Sequence, residues 1–343
     1  MTAPERWLLA LADPEPLRGN LPHQRLAAEE VALLCVLAEL HGVLPATLHR
    51  VDLLSRDEPE KFLLNPTLNS AVIQAIEPQR KRLAERLAMA LFLQAESRRL
   101  ITELAAAGVE AIVLKGADFA ARLYAPPALR SFGDVDLLVR AGDWERVQTT
   151  MARLGYLELE TPLKHDSGYA ERTWEHPVMP GAMVEVHDNL VNSPTIRRGV
   201  SVQLEDLPLE RGVDGQLRAT PAGLLIMAAV HGAASHSFDK LQHLCDLAQI
   251  VRGRAGPIDE TSLREGLAKT GAGFSLALGL DLIARALHET AAVDLLGRLK
   301  LRWPRRVARL LMTPAVVVRS QGRRRRGASW RRQLLRQMLK SRR

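Results

Sequence analysis

At Gly108 the apolar residues of this chain change their period. Before it, HQRLAAEEVALLCVLAELHGV and RKRLAERLAMALFLQAESRRLITELAAAG place Leu, Ala and Val at helical spacing, so residues from about 22 to 107 read as helix. The polar stretch SRDEPEKFLLNPTLN links the two runs. After Gly108 come short runs rich in β-branched residues, VEAIVL, DVDLLV and MVEVH, which read as strands. Between them lie ADFAARLY and the amphipathic AGDWERVQTTMARLGY, which read as helices, and Tyr156–Glu160 adds a further candidate strand. The stretch rich in His, Pro and Trp before MVEVH reads as irregular. A single chain that shifts from period 3.6 to alternating strand and helix is an α+β protein. The expectation is a small mixed or antiparallel sheet with flanking helices, joined to a helical arm and a helical bundle. Thr220-Pro221 pairs a capping residue with a proline suited to the first helical position, and it opens the bundle. The expected organisation is a helical region over 1–107, a catalytic-type core over 108–215, a bundle over 216–310 and a basic tail over 311–343.

Charge is distributed unevenly. The 343 residues carry a net charge of +8, yet residues 298–343 hold 17 Lys and Arg and no acid, so the remainder is net acidic. A basic segment of this density suits phosphate, nucleic acid or an anionic membrane, and equally a solvated tail. Its end, GRRRRGASWRRQLLRQMLKSRR, sets Trp330, Leu334, Leu335, Met338 and Leu339 on one helical stripe among arginines. That pattern fits contact with nucleic acid or anionic membrane, or docking on the chain's own acidic body. No run of 18 residues lacks Asp, Glu, Lys, Arg and His alike, so no membrane-spanning helix is expected. The N-terminal MTAPERWLLALADPEPLR carries early acids and no basic n-region, against a secretory signal. Cys35 and Cys245 sit in apolar, helix-like sequence and read as reduced thiols, so a cytoplasmic location is expected.

Candidate chemistry centres on RSFGDVDLLVR. Four other acid-x-acid pairs occur in the chain, so Asp134 and Asp136 are not distinctive by spacing alone. Their setting separates them: on a strand, residues i and i+2 share a face, so the two carboxylates project together while Val135 packs behind. Such a pair is either a site for a divalent cation or a solvated strand end. In MVEVH, Glu185 and His187 share one strand face in the same way. Glu185 could supply a third carboxylate, and His187 could orient an acceptor, act as a base or simply be a structural histidine. Lys115-Gly116 forms a strand-to-helix turn where backbone can approach a phosphate, and Lys115 and Arg130 could pair with one. The turn lacks the spacing of a Walker A loop. Tyr169 and Trp174 could stack on a base or belong to the core. His165, His176, His231, His236 and His243 form no HExxH or Cys/His pattern, so no zinc site is expected.

Together, VLKGADFAARLYAPPALRSFGDVDLLV, ARLGY and VEVH resemble the uncharacterised bacterial nucleotidyltransferase family of the DNA polymerase β-like superfamily, most densely over residues 108–190. HGAASHSFDKLQHLCDLAQIV resembles the family's later helices more loosely, and places His231, Lys240 and Asp246 where they could reach a nucleotide or acceptor. The resemblance implies that Asp134 and Asp136 are metal ligands, with Glu185 the third carboxylate by position. It places Gly116 where the superfamily has its Gly-Ser turn. Ala117 follows it here, so the serine contact is missing. Asp188 stands where an aromatic residue is commoner. The implied activity is magnesium-dependent transfer of a nucleoside monophosphate from an NTP to an acceptor, with release of pyrophosphate. Two Mg2+ ions are implied, with Mn2+ as the substitute and ATP as the favoured donor. The alternative is a catalytically weak module on the same scaffold, directed to nucleic acid or membrane by residues 298–343.

Overall fold

The computed structural model describes residues 1–15, 21–24, 26–57, 66–159, 168–320 and 330–340. Residues 58–65 of the expected linker, His165 and Arg323–Arg326 lie outside the described residues.

The N-terminal arm consists of α1 (Ala3–Leu11), α2 (Ala28–Leu40), α3 (Leu44–Asp57) and α4 (Pro66–Ala106). Helix α4 starts well before Arg80, where the Leu- and Ala-rich run begins. Gly108, at φ +73°, takes the left-handed conformation that closes it. The chain then enters a sheet of β1 (Ala111–Val113), β2 (Asp134–Val139), β3 (Leu157–Glu158), β4 (Glu171–Glu175) and β5 (Met183–His187). Helix α5 (Gly116–Leu123) follows β1, and α6 (Trp144–Arg153) follows β2. The strand order is β1-β2-β5-β4-β3, parallel between β2 and β5 and antiparallel elsewhere. The sheet is mixed and the fold class is α+β, as the alternation predicts. Strand β4 corrects the expectation of an irregular stretch: Glu171–Glu175 pairs along its whole length with β5. Its sequence, ERTWE, has no apolar run to signal a strand, and the pairing to β5 supplies what local propensity does not.

Alternation sorts the sheet into two faces. Val135, Leu137, Val139, Val184, Val186 and Trp174 turn one way, and form a core with Leu93, Leu100 and Leu104 of α4 and Val147 and Met151 of α6. Trp174 is therefore a core residue. The other face holds Asp134, Asp136, Glu185 and His187, so one face is apolar and the other carries the acidic and histidine side chains.

Past β5 come the short α7 (Pro194–Arg197), a hairpin of β6 (Leu209–Arg211) and β7 (Leu217–Ala219), and α8 (Pro221–Val230). Thr220 caps α8 by accepting from the Gly223 amide. A π-helical turn, His231–Ser235, extends α8 before α9 (Leu241–Val251). Then follow α10 (Glu260–Thr270), α11 (Gly273–Ala286), α12 (Thr290–Leu299), α13 (Arg305–Leu311), α14 (Pro314–Arg319) and α15 (Trp330–Leu339). One apolar cluster runs through α1 to α3, the α5 region and these later helices.

Helix α15 packs on the body. Leu335 and Leu339 are buried, and Met338 packs against the same core. Trp330 and Leu334 of the expected stripe turn outward instead. Arg332 pairs with Asp239 at 2.5 Å. An isolated helix of fewer than about 12 residues is marginal in water. Two buried leucines, at about 1.5–3 kcal/mol each, make docking the reason this one forms. Among the described residues, no helix is long and apolar enough to cross a membrane.

Candidate active site

The parallel register sets Asp136 directly opposite Glu185, and the antiparallel register sets Glu171 opposite His187. Directly paired residues share a face, so four polar side chains from three neighbouring strands meet over one patch. Lys115 reaches the patch from the end of β1, with its Nζ 2.9 Å from Asp136 Oδ1. His187 Nε2 lies 3.5 Å from the same oxygen and 3.8 Å from Glu185 Oε2. Its Nδ1 is 3.2 Å from Asn192 Oδ1 and 3.9 Å from Glu171 Oε2. Asn192 in turn donates to Glu171.

Three carboxylates face one ammonium here, and their protonation shows the strain. Repulsion from Asp136, with burial, pushes Asp134 up to about 6. Burial, then repulsion from Asp136 and Glu171, pushes Glu185 up to about 7. Burial also opposes the charge of Asp136, but Lys115 and His187 outweigh it and hold this carboxyl well below its usual range. The same pairing outweighs burial at Lys115 and His187 and raises both.

The donor set fits a divalent cation. Ligand atoms of Asp136, Glu185 and His187 all lie within 4.8 Å of one another. Asp134 is outside that group, although it shares the strand face and its charge is felt by Asp136. Among the described residues, neither Asp136 oxygen nor His187 Nε2 finds a hydrogen-bond partner of good geometry. Lys115 compensates Oδ1, but Oδ2 is left buried without a partner, a cost that a cation ligated by it removes. His187 thus stands among the candidate ligands and also lines the cavity.

The other expected residues are placed as follows. Gly116 begins α5 at φ +48°, a conformation that favours glycine, and an added Cβ would lie 3.4 Å from the Asp134 carbonyl. Arg130 is buried and bound: its Nε and Nη2 donate to the two Asp246 oxygens at 2.8 Å each, and Nη1 donates to the Gly116 carbonyl at 3.2 Å. Tyr124 also donates to Asp246 at 2.8 Å. This bidentate clamp ties α9 to the Lys115-Gly116 turn. Asp246 therefore acts through Arg130. Asp188 turns away from the patch and accepts from Trp144 Nε1 at 3.0 Å.

A cavity of about 890 Å³ opens over this face. Lys115, Gly116, Asp134, Glu185 and His187 line one side, with Tyr169 and Glu171 beside them. His231, His236, Lys240 and His243 line another part, and Arg336 of α15 reaches it as well. A π-helical turn and the packing of α9 bring His231, His236 and His243 together, which no local sequence pattern announces. Glu171 and Asn192 were also missed. A carboxylate at the head of an unrecognised strand gave no signal until its register was known.

A family model described as uncharacterised nucleotidyltransferase matches residues 28–288. No curated protein and no solved structure matches the chain.

Proposed function

Since the chain belongs to this uncharacterised nucleotidyltransferase family and is a transferase of nucleotidyl groups, we propose that it moves a nucleoside monophosphate from an NTP to an acceptor hydroxyl in a magnesium-dependent reaction. The observation that carries the reading is Asp136, a buried carboxylate whose Oδ2 has no partner among the described residues, registered against Glu185 and sharing a strand face with Asp134. Asp134, Asp136 and Glu185 would hold Mg2+, two ions or Mn2+ in their place, with His187 beside them. Magnesium, when bound, neutralises triphosphate charge and stabilises the departing pyrophosphate.

The chain's own residues divide the remaining work. Lys115 brings a fixed positive charge to the phosphates from the edge of the carboxylate patch. Gly116 lets the backbone approach them, at the N-terminal end of α5. Arg130 holds that turn through the Gly116 carbonyl, so its contribution is positional. In the transfer, the acceptor oxygen forms a bond to the α-phosphorus and the bond to the β-phosphate oxygen breaks. Pyrophosphate leaves, and the hydroxyl proton passes to Glu185, which faces the cavity. His187 orients that carboxylate, and the cavity is large enough for a nucleotide beside an acceptor. ATP is the favoured donor.

Asp136→Asn keeps the shape of the site and removes its buried charge. Magnesium-dependent NTP turnover by the purified protein, with cell extract as acceptor source, should fall by at least about 100-fold. Turnover equal to wild type would contradict the reading.

A further inference from the structure

Opposite the carboxylates, His231, His236 and His243 converge. Their ligand nitrogens all lie within 4.8 Å of one another. The ring centroids are 4.6, 4.7 and 5.2 Å apart. Three imidazoles on one tetrahedral ion, with Zn–N at about 2.0–2.1 Å, hold their ring centroids roughly 5 Å apart and their nitrogens about 3.4 Å apart. The rings therefore stand at the right mutual distance, and small rotations close the remaining gap between nitrogens. We propose that His231, His236 and His243 form a second metal site, for Zn2+, with an open coordination position facing the nucleotide cavity.

Two further observations support the site. His243 is 6% exposed, lines the cavity, and its Nδ1 has no hydrogen-bond partner among the described residues. A buried imidazole nitrogen without a partner is costly, and a metal ion satisfies it. Behind His236, the buried Asp239 sets Oδ1 3.7 Å from Nδ1. At that distance the carboxylate acts on the imidazole through its charge, which favours a cation at this end of the cavity. Arg332 of α15 holds Asp239 at 2.5 Å and donates to the His236 carbonyl at 3.0 Å, which ties the site to the docked C-terminal helix.

Charge and ligand type set the identity of the ion. Of the nearby cations, Lys115 and Arg130 are each already paired with a carboxylate, Asp136 and Asp246 respectively. Three neutral nitrogens with no oxygen ligand suit zinc, whereas magnesium requires hard oxygen donors. The histidine site and the carboxylate site thus differ in chemistry, and one cavity joins them. An open position on zinc takes an anionic or polarisable oxygen, such as a phosphate oxygen or an acceptor hydroxyl.

Zinc binding by the full-length, chelator-stripped protein tests the site without reference to activity. Equilibrium dialysis is run at micromolar Zn2+ with millimolar Mg2+ present to occupy the carboxylates. Wild type and Asp136→Asn should each retain about one zinc per chain. His243→Gln and the partly exposed His236→Gln should each weaken retention by about 100-fold or more. Co2+ in place of zinc should give the visible absorption of a tetrahedral nitrogen site in wild type and lose it in His236→Gln. Circular dichroism confirms folding, and His236→Gln decides the matter should His243→Gln fail to fold. No zinc on the wild type would overturn the proposal. So would zinc that survives both histidine changes and disappears in Asp136→Asn.

Discussion

At the scale of single residues, the site is governed by how many negative charges one patch must hold. Glu185, opposite Asp136 and near Glu171, is pushed up to about 7. A carboxyl whose folded pKa exceeds its unfolded value stabilises the fold below the unfolded pKa, and this contribution is lost as pH rises through the folded pKa. The stability of wild type relative to Glu185→Gln should therefore decline between about pH 5 and pH 8, by a few kcal/mol at most. Comparing the two proteins removes the opposing titrations of His231 and His243, which both share. Urea unfolding across this range checks the slope, and saturating Mg2+ should flatten it. A slope of opposite sign would contradict the electrostatic account of the patch. Much of this patch was legible in the sequence: the i, i+2 spacing put Asp134 with Asp136 and Glu185 with His187. Glu171 was not legible, because its place depends on pairing between strands rather than spacing along one.

Among elements, the Arg130–Asp246 clamp connects the bundle to the Lys115-Gly116 turn. Sequence reasoning assigned Arg130 to phosphate because it precedes the aspartates. It could not see that α9 would bring Asp246 into bidentate contact, 116 residues away. Asp246→Asn leaves a buried guanidinium without its counter-charge, and should cost about 3–5 kcal/mol in thermal or chemical denaturation. It should also lower NTP affinity, because the Gly116 carbonyl loses its restraint. Strands β2 and β5 were readable because DVDLLV carries a short apolar run and MVEVH alternates valine with polar residues. Strand β4 was not, since ERTWE becomes a strand only beside β5. The π-helical turn that carries His231 was equally hidden, because its geometry answers to the packing of Gly232 against Phe238 rather than to a local preference.

Across the whole molecule, the basic C-terminal segment is partly built into the body. Leu335 and Leu339 are buried, Arg332 holds Asp239, and Arg336 lines the cavity. The sequence pattern allowed contact with nucleic acid or membrane as readily as docking, because an amphipathic basic helix looks the same in each case. Truncation after Gly322 should expose apolar surface around Gly199, where an added Cβ would lie 2.1 Å from the Leu339 carbonyl. The truncated protein should melt at lower temperature and lose NTP turnover. Full turnover and an unchanged melting temperature would mean that α15 is an independent appendage. Any contribution of residues 298–343 to nucleic-acid or anionic membrane binding is separable by its salt dependence.

The position of the label in the transferred group tests the central claim most directly. The protein is incubated with Mg2+, cell extract and ATP labelled at either the α- or the γ-phosphate. Transfer of a nucleoside monophosphate carries the α-label into the acceptor product and releases the γ-label as pyrophosphate, and both should vanish in Asp136→Asn. Appearance of the γ-label in the acceptor, or of neither label, would contradict it.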